Sequence, residues 1–538
     1  MKKRVLRMIA LILAAVMLSG CAIFEDYRRL KEVYFGRSTS FSDMEYERPD
    51  PDDFMQYQRR CIALAEAGED MDALTENIWA FYTEYDRFYT MYALAYIHYC
   101  RDMSDLYWSD EYDRCLEASC EIDAGFDQLM YALADSPLRE ELEREDLFGP
   151  GYFDSYEGDS IWDETLTALM EAESDFISRY EELSMKLPEK EDPAYGAAAM
   201  EIVGLYAQLI ALRQEQAAYL GYDRYADFAY EFYYGRDYTP DQEMAYLEQV
   251  KEKLVPFYRL VSAMDNGELG YYRATEEQVF EYLEMAAENM GGTVEEAFGT
   301  MADCELYDIS PGANKYPASF EVYIWDYELP FAFLNPEGTN YDALSFAHEF
   351  GHFCNDYASC GTTLNVDCGE VLSQGMEYLT LCYNGDMEEM TRMKMADSVC
   401  TYVVQSGYAA FEQAAYELRG EELTAENLVK LYEDVTVEFG FDVWEYDGTE
   451  LAELTHLFGY PCYMFSYVVS NDAAMQIYQL ELEEKGAGLE VYEKCLTSEV
   501  WDLTEFVREA GLESPFAEGR LDEVTAIFEE TFGGRIVK

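Results

Sequence analysis

The sequence predicts a mostly α-helical protein with one small β-sheet. Proline is scarce, 14 in 538 residues, about half the usual ~5 %, whereas the helix formers Glu, Leu, Ala and Met abound. Apolar residues recur at helical spacings of three and four, as in Ile62, Leu64, Ala65 and in Met91, Leu94, Ala95, His98. Only Phe320–Trp325 and Phe331–Leu334, closed by the turn Asn335-Pro336-Glu337-Gly338, read as strands.

The composition sets outer bounds. With 49 % hydrophobic residues the chain can build a sizeable core, so wholesale disorder is excluded. Against 109 acidic side chains stand 37 basic ones, a net charge of −72. Such a field repels phosphate backbones and no basic stripe offsets it, so nucleic-acid binding is excluded.

In chain order, residues 1–20 read as a secretion signal. Lys2, Lys3, Arg4 and Arg7 precede an apolar run of 11 residues from Met8 to Leu18. That run is too short to cross a ~30 Å hydrocarbon core as a helix. Leu18-Ser19-Gly20-Cys21 resembles a bacterial lipobox, which would make Cys21 the lipidated first residue of the mature protein. Location is then expected outside the cytoplasm, anchored on the outer face of the bacterial cytoplasmic membrane or in the periplasm.

Residues 21–54 read as a polar tether ending in Pro49-Asp50-Pro51-Asp52-Asp53, a helix start. A helical N-terminal lobe is expected over 55–190, because Pro188 and Pro193 within a polar cluster break the helical pattern there. From 191 to 538 a second domain follows. It opens with a long helix from Ala194 to about Ala218 closed by Gly221, and another helix begins at Tyr225. The 12 cysteines after Cys21 lack a paired Cys-x-x-Cys, and several lie in helical apolar patterns as small buried hydrophobes. Cys115/Cys120 and Cys354/Cys360 are close enough in sequence for disulfides, but none is expected.

The chemistry concentrates after the strand-like segment. Thr339 and Asp342 have capping-box spacing, and the helix they would start carries His348-Glu349-Phe350-Gly351-His352. His348 and His352 lie one turn apart on one face, where both imidazoles can meet one ion. Glu349 is placed beside them to deprotonate a water. The pattern is short, but two of the chain's four histidines occupy it. A tetrahedral zinc site needs a third protein ligand and an open corner. Glu370 is the leading candidate; it opens a helix whose face also carries Gln374 and Glu377, placed to support the ligands from behind. Farther on, His456, Tyr460, Tyr463 and Tyr467 offer donors for an oxyanion. His98, among apolar neighbours, reads as a structural histidine.

These segments resemble the thimet-oligopeptidase and oligoendopeptidase F family of zinc metallopeptidases. The likeness rests on His348-Glu349-Phe350-Gly351-His352, on Glu370 with Ser373, Gln374 and Glu377, and on Leu212-Arg213-Gln214-Glu215-Gln216 through Tyr222 with Tyr225-Ala226-Asp227. It spans roughly residues 195–535. It implies one zinc ion held by His348, His352 and Glu370, with Glu349 as general base. His456 and one or more of Tyr460, Tyr463 and Tyr467 would bind substrate and oxyanion. It also implies a two-lobed helical body around a deep channel that admits unfolded oligopeptides, and a substrate strand laid against Ala318–Tyr323. Three departures stand out: a short gap from His352 to Glu370, Asn355 where a further His is common, and altered spacing from His456 to the tyrosines. The competing reading is a non-catalytic peptide-binding lipoprotein, which would have no need of Glu349. The sequence leaves oligomeric state open.

Overall fold

The computed structural model describes residues 37–533 apart from 145–146, 157–163, 363, 386 and 445–446. The expected signal segment, Cys21 and the first part of the tether lie outside the described residues.

Helices α1 (Pro51–Ala67), α2 (Met71–Arg101) and α3 (Leu106–Ala134) each begin with an aspartate whose carboxylate accepts first-turn N–H groups: Asp50, Asp70 and Asp105. Pro51 follows Asp50 at the first helical position. The three pack on one another around Phe54, Ile78, Phe81, Phe126, Leu129 and Leu133. Helix α2 then leaves this core, and its C-terminal part from Met91 to Cys100 packs into the main one.

Helix α4 (Glu164–Ser184) packs on α5 (Tyr195–Tyr219), followed by α6 (Tyr225–Phe232). Leu166, Met170, Ile177 and Tyr180 of α4 belong to the main core. Residues of α2 and α4 thus share the main core with α5, and the two cores interleave along the chain instead of dividing it at a single position. Pro188 and Pro193 do stop a helix, but they mark a connection between two neighbours in one core. Among the described residues α5 alone is long and apolar enough to cross a membrane, with a mean hydropathy of 1.4 over its best window. Here it is a core helix, burying Ile202, Tyr206, Leu209, Ile210 and Arg213.

The described part of the expected tether is docked rather than free. The Phe41 N–H donates to the Cys304 carbonyl at 2.8 Å. Its ring packs 4.6 Å from Phe331, and Met44 is buried too. Apolar side chains in a polar stretch were the signal for this.

The sheet has the order β1 (Tyr307–Asp308), β3 (Leu329–Phe333), β2 (Phe320–Ile324), with β1 parallel and β2 antiparallel to β3. Phe320 pairs with Phe333 and Ile324 with Leu329, so β3 is central and wholly buried while β2 is an edge. Strand β1, two residues long, was too short to show as a pattern. Helix α7 (Tyr341–Ser359) packs on β2 and β3, and α8 (Val366–Tyr383) on α7. Helices α9 (Glu388–Cys400), α10 (Ser406–Glu417), α11 (Thr455–Gly459) and α12 (Met464–Glu483) complete the surroundings of the site. Of these α12 lies most extensively against α8. The 12 cysteines after Cys21 are all free.

Candidate active site

The site begins where β3 turns into α7. Asp342 accepts from the backbone N–H groups of Glu337, Gly338 and Thr339 at 2.8–2.9 Å, which ties the turn to the helix start. The reach-back half of the expected capping box thus exists, but the cap position is Asn340 and the Thr339 side chain makes no cap bond. Asn340 instead ties the start to Gly270 and Tyr272.

One turn apart on α7, the rings of His348 and His352 stand 5.1 Å apart and nearly perpendicular. Helix α8 brings Glu370 up to them, its Oε2 lying 3.4 Å from His348 Nε2. His348, His352 and Glu370 each offer a ligand atom within 4.8 Å of the others, the one such trio among the described residues. Gly351 makes this approach possible. A β-carbon there would stand 2.6 Å from Ser373 Cα and 2.7 Å from the Leu372 carbonyl oxygen, both backbone atoms of α8. Any larger residue would push the two helices, and hence the ligands, apart.

The ligands are oriented from behind. Glu377 Oε1 lies 2.8 Å from His348 Nδ1. A carboxylate only accepts, so Nδ1 carries a proton, and Nε2 is the nitrogen that faces Glu370 and a candidate metal. Burial would raise Glu377, but Lys394 and His348 outweigh it and hold the carboxyl below its ordinary range. Glu370 is fixed by the Tyr463 hydroxyl, which donates to Oε1 at 2.9 Å, and by Ser373, which donates to Oε2 at 3.1 Å. Gln374 plays a different part from the one expected. It donates to Ser470 Oγ and the Tyr467 carbonyl, pinning α8 to α12 without reaching the ligands.

Glu349 is 5 % exposed, and burial pushes its carboxyl up to about 7, against the opposing pull of His348 and of a hydrogen bond from Ser319. A carboxyl with that proton affinity suits a general base at neutral pH. His352 is pushed down to about 3 by burial and by His348, so it is a neutral imidazole, the form that binds metal.

The other side of the site is a ring cluster. His456 lies 5.7 Å from Tyr463, 5.8 Å from Tyr460 and 6.2 Å from Tyr467, centroid to centroid. All four expected residues are thus together, with separate surroundings. Tyr463 is committed to Glu370, Tyr467 is hydrogen-bonded to Tyr463, and Tyr460 is 47 % exposed. Arg213 of α5 holds this side in place. Fully buried, it pairs with Glu173 of α4 at 2.7 Å and donates to the carbonyls of Leu457 and Phe458, the two residues after His456. His98, far from the site in sequence and contacts, sits between the rings of Phe41 and Trp108 as a structural histidine.

Sequence reasoning missed Lys394, Asp397, Ser319 and the role of Arg213. A signal existed for Lys394: lysine is rare in this chain, and here it stands between Met393 and Met395 on a buried helix.

Residues 41–160 match the family described as Peptidase M3 N-terminal domain. No curated protein matches the chain. Among solved structures, a protein assigned as oligoendopeptidase F is similar with a TM-score of 0.76 and 21 % identity, over 91 % of this chain and 98 % of that one. PZ peptidase A with an inhibitor gives 0.77 and 20 %, over 92 % and 99 %. A protein assigned as oligoendopeptidase F from Bacillus anthracis str. Ames gives 0.73 and 20 %, over 92 % and 98 %. The chain thus resembles the Peptidase M3 N-terminal domain over residues 41–160 and, over about nine-tenths of its length, shares the fold of the oligoendopeptidase F structures.

Proposed function

We propose that the chain is a zinc metallo-endopeptidase that hydrolyses internal bonds of short unfolded peptides. The observation that carries this reading is the convergence of His348, His352 and Glu370 from two helices, with the buried carboxyl of Glu349 beside them. Two imidazoles and one carboxylate are a zinc-peptidase donor set, and Glu377 presents Nε2 of His348 in the metal-binding tautomer. Zinc held there would supply Lewis-acid polarisation of a water and of the scissile carbonyl. Glu349 takes the proton from the attacking water and passes it to the departing amine, so the proton count closes over one turnover. Tyr467 and His456, clustered with the Tyr463 that steadies Glu370, would donate hydrogen bonds to the developing oxyanion. Among the described residues no strand pairs with the outer edge of β2, and Ser319 immediately before it contacts Glu349. A substrate backbone added along that edge would bring its scissile bond to the base.

The relatives' names, oligoendopeptidase F and PZ peptidase A, support oligopeptides as the substrate class. Lipid anchoring through Cys21 and action outside the cytoplasm belong to this proposal on sequence alone; loss of membrane fractionation in Cys21→Ala tests them. The reaction is tested with a quenched fluorescent oligopeptide, with and without a zinc chelator. Wild type should cleave, chelation should stop it, and Glu349→Gln should bind zinc without cleaving. Undiminished turnover by Glu349→Gln would overturn the mechanism, and peptide binding without cleavage by wild type would favour the peptide-binding lipoprotein.

A further inference from the structure

We propose that Lys394 is a positioning residue of the metal centre, acting through Glu377 on His348; this rests on the zinc reading above. Lys394 lies on α9, which supplies no candidate ligand, and is 1 % exposed. Its Nζ stands 2.7 Å from Glu377 Oε2 and 3.0 Å from Asp397 Oδ2, and 4.9 Å from the centre of the Tyr378 ring. Asp397 in turn accepts from the hydroxyl of Tyr341 at 3.0 Å, and Tyr341 is the first residue of α7. The chain His348, Glu377, Lys394, Asp397, Tyr341 therefore leaves α7, crosses α8 and α9, and returns to α7.

The geometry fixes what Lys394 does. Glu377 is buried and near enough to Glu370 to interact with it, so its negative charge needs a partner inside the protein. Lys394 provides it on one oxygen and leaves the other for the His348 Nδ1–H. With Oε2 held, Oε1 cannot swing away, and the imidazole keeps both its tautomer and its ring plane. Asp397 balances the second face of the ammonium and anchors it to the start of the helix that carries His348. Were Lys394 only a filler of buried charge, its removal would alter stability and leave metal affinity alone.

The test is zinc affinity by chelator competition on the full chain, for wild type, Lys394→Met, Glu377→Gln and the double variant. Thermal unfolding of the zinc-stripped proteins is followed alongside. Lys394→Met and Glu377→Gln are each expected to bind zinc about 10- to 100-fold more weakly. The double variant should bind no more weakly than Glu377→Gln alone, since Lys394 acts through that carboxylate. Wild-type affinity in Lys394→Met, or a further tenfold loss when Lys394→Met is added to Glu377→Gln, would overturn the proposal. Should Lys394→Met alone fail to fold, the second comparison decides, because the double variant removes Lys394 together with its buried partner Glu377 and leaves only the partly exposed Asp397, still bonded to Tyr341. A wild-type chain that binds no zinc would instead overturn the zinc reading itself.

Discussion

The two sides of the site are built on different plans. The metal side comes from two long helices, α7 and α8, in backbone contact at Gly351, and its ligand spacing follows from helical period and one close approach. The tyrosine side comes from the five-residue helix α11, a turn and the start of α12, a short irregular stretch that a single helical period does not span. Each side leans on a buried cation. Lys394 stands behind the ligands with Glu377 and Asp397, and Arg213 stands behind His456 with Glu173 and two carbonyls. Where the backbone fixes geometry, the cation trims the orientation of one side chain; where it does not, the cation has to hold the main chain.

Substitutions can break or sharpen that contrast. The largest effect is expected from Glu349→Gln, which removes the base from the metal side. Turnover of a quenched peptide should fall by about 10³-fold, with zinc content unchanged. Next, Tyr467→Phe should lower kcat by about 10²-fold with zinc affinity intact. Tyr463→Phe, freeing Glu370 Oε1, should weaken zinc binding as well. If the two tyrosine variants behaved alike in zinc titration, the division of labour drawn between them would fail. Gly351→Ala should destabilise by about 2 kcal/mol through the clash with Ser373 and Leu372, and weaken zinc binding in parallel, read by denaturant unfolding and chelator competition.

The smallest effect concerns pH and the underside of the tyrosine side. Glu412, 1 % exposed, is pushed up to about 7 by burial, against a bond from the Cys462 backbone and the pull of Arg213. Its folded value lies above its unfolded one. The stability it contributes is therefore fully present below the unfolded value near 4.5 and is lost as pH climbs through about 7. Tm should fall across that window, and Glu412→Gln should flatten the fall; an unchanged slope in the variant would assign the pH dependence elsewhere.

The same contrast explains what could be read from the sequence. His348, His352 and Glu349 were legible because a helix converts spacing into geometry, and Glu370 because its helix is apolar on every other face. Grouping of His456 with Tyr460, Tyr463 and Tyr467 was legible, but their separate partners were not, since Tyr463 reaches Glu370 across 93 residues of chain. Thr339 had the right spacing for a cap, yet Asn340 took the position because its side chain had partners at 270 and 272. Gln374 shares a helix face with Glu370 but turned to α12, where a serine and a carbonyl awaited it. Pro188 and Pro193 were legible as a helix end, because prolines report where helices stop, but which core each helix joins shows only in tertiary packing. Lys394 and Arg213 act over distances in sequence that no local pattern encodes.

Metal content bears most directly on the central claim that one ion is held by two histidines of α7 and a glutamate of α8. Mass spectrometry of the purified native protein should find one zinc per chain in wild type and in Glu349→Gln, and close to none in Glu370→Ala. Full zinc retention in Glu370→Ala, with His348 and His352 untouched, would contradict the account.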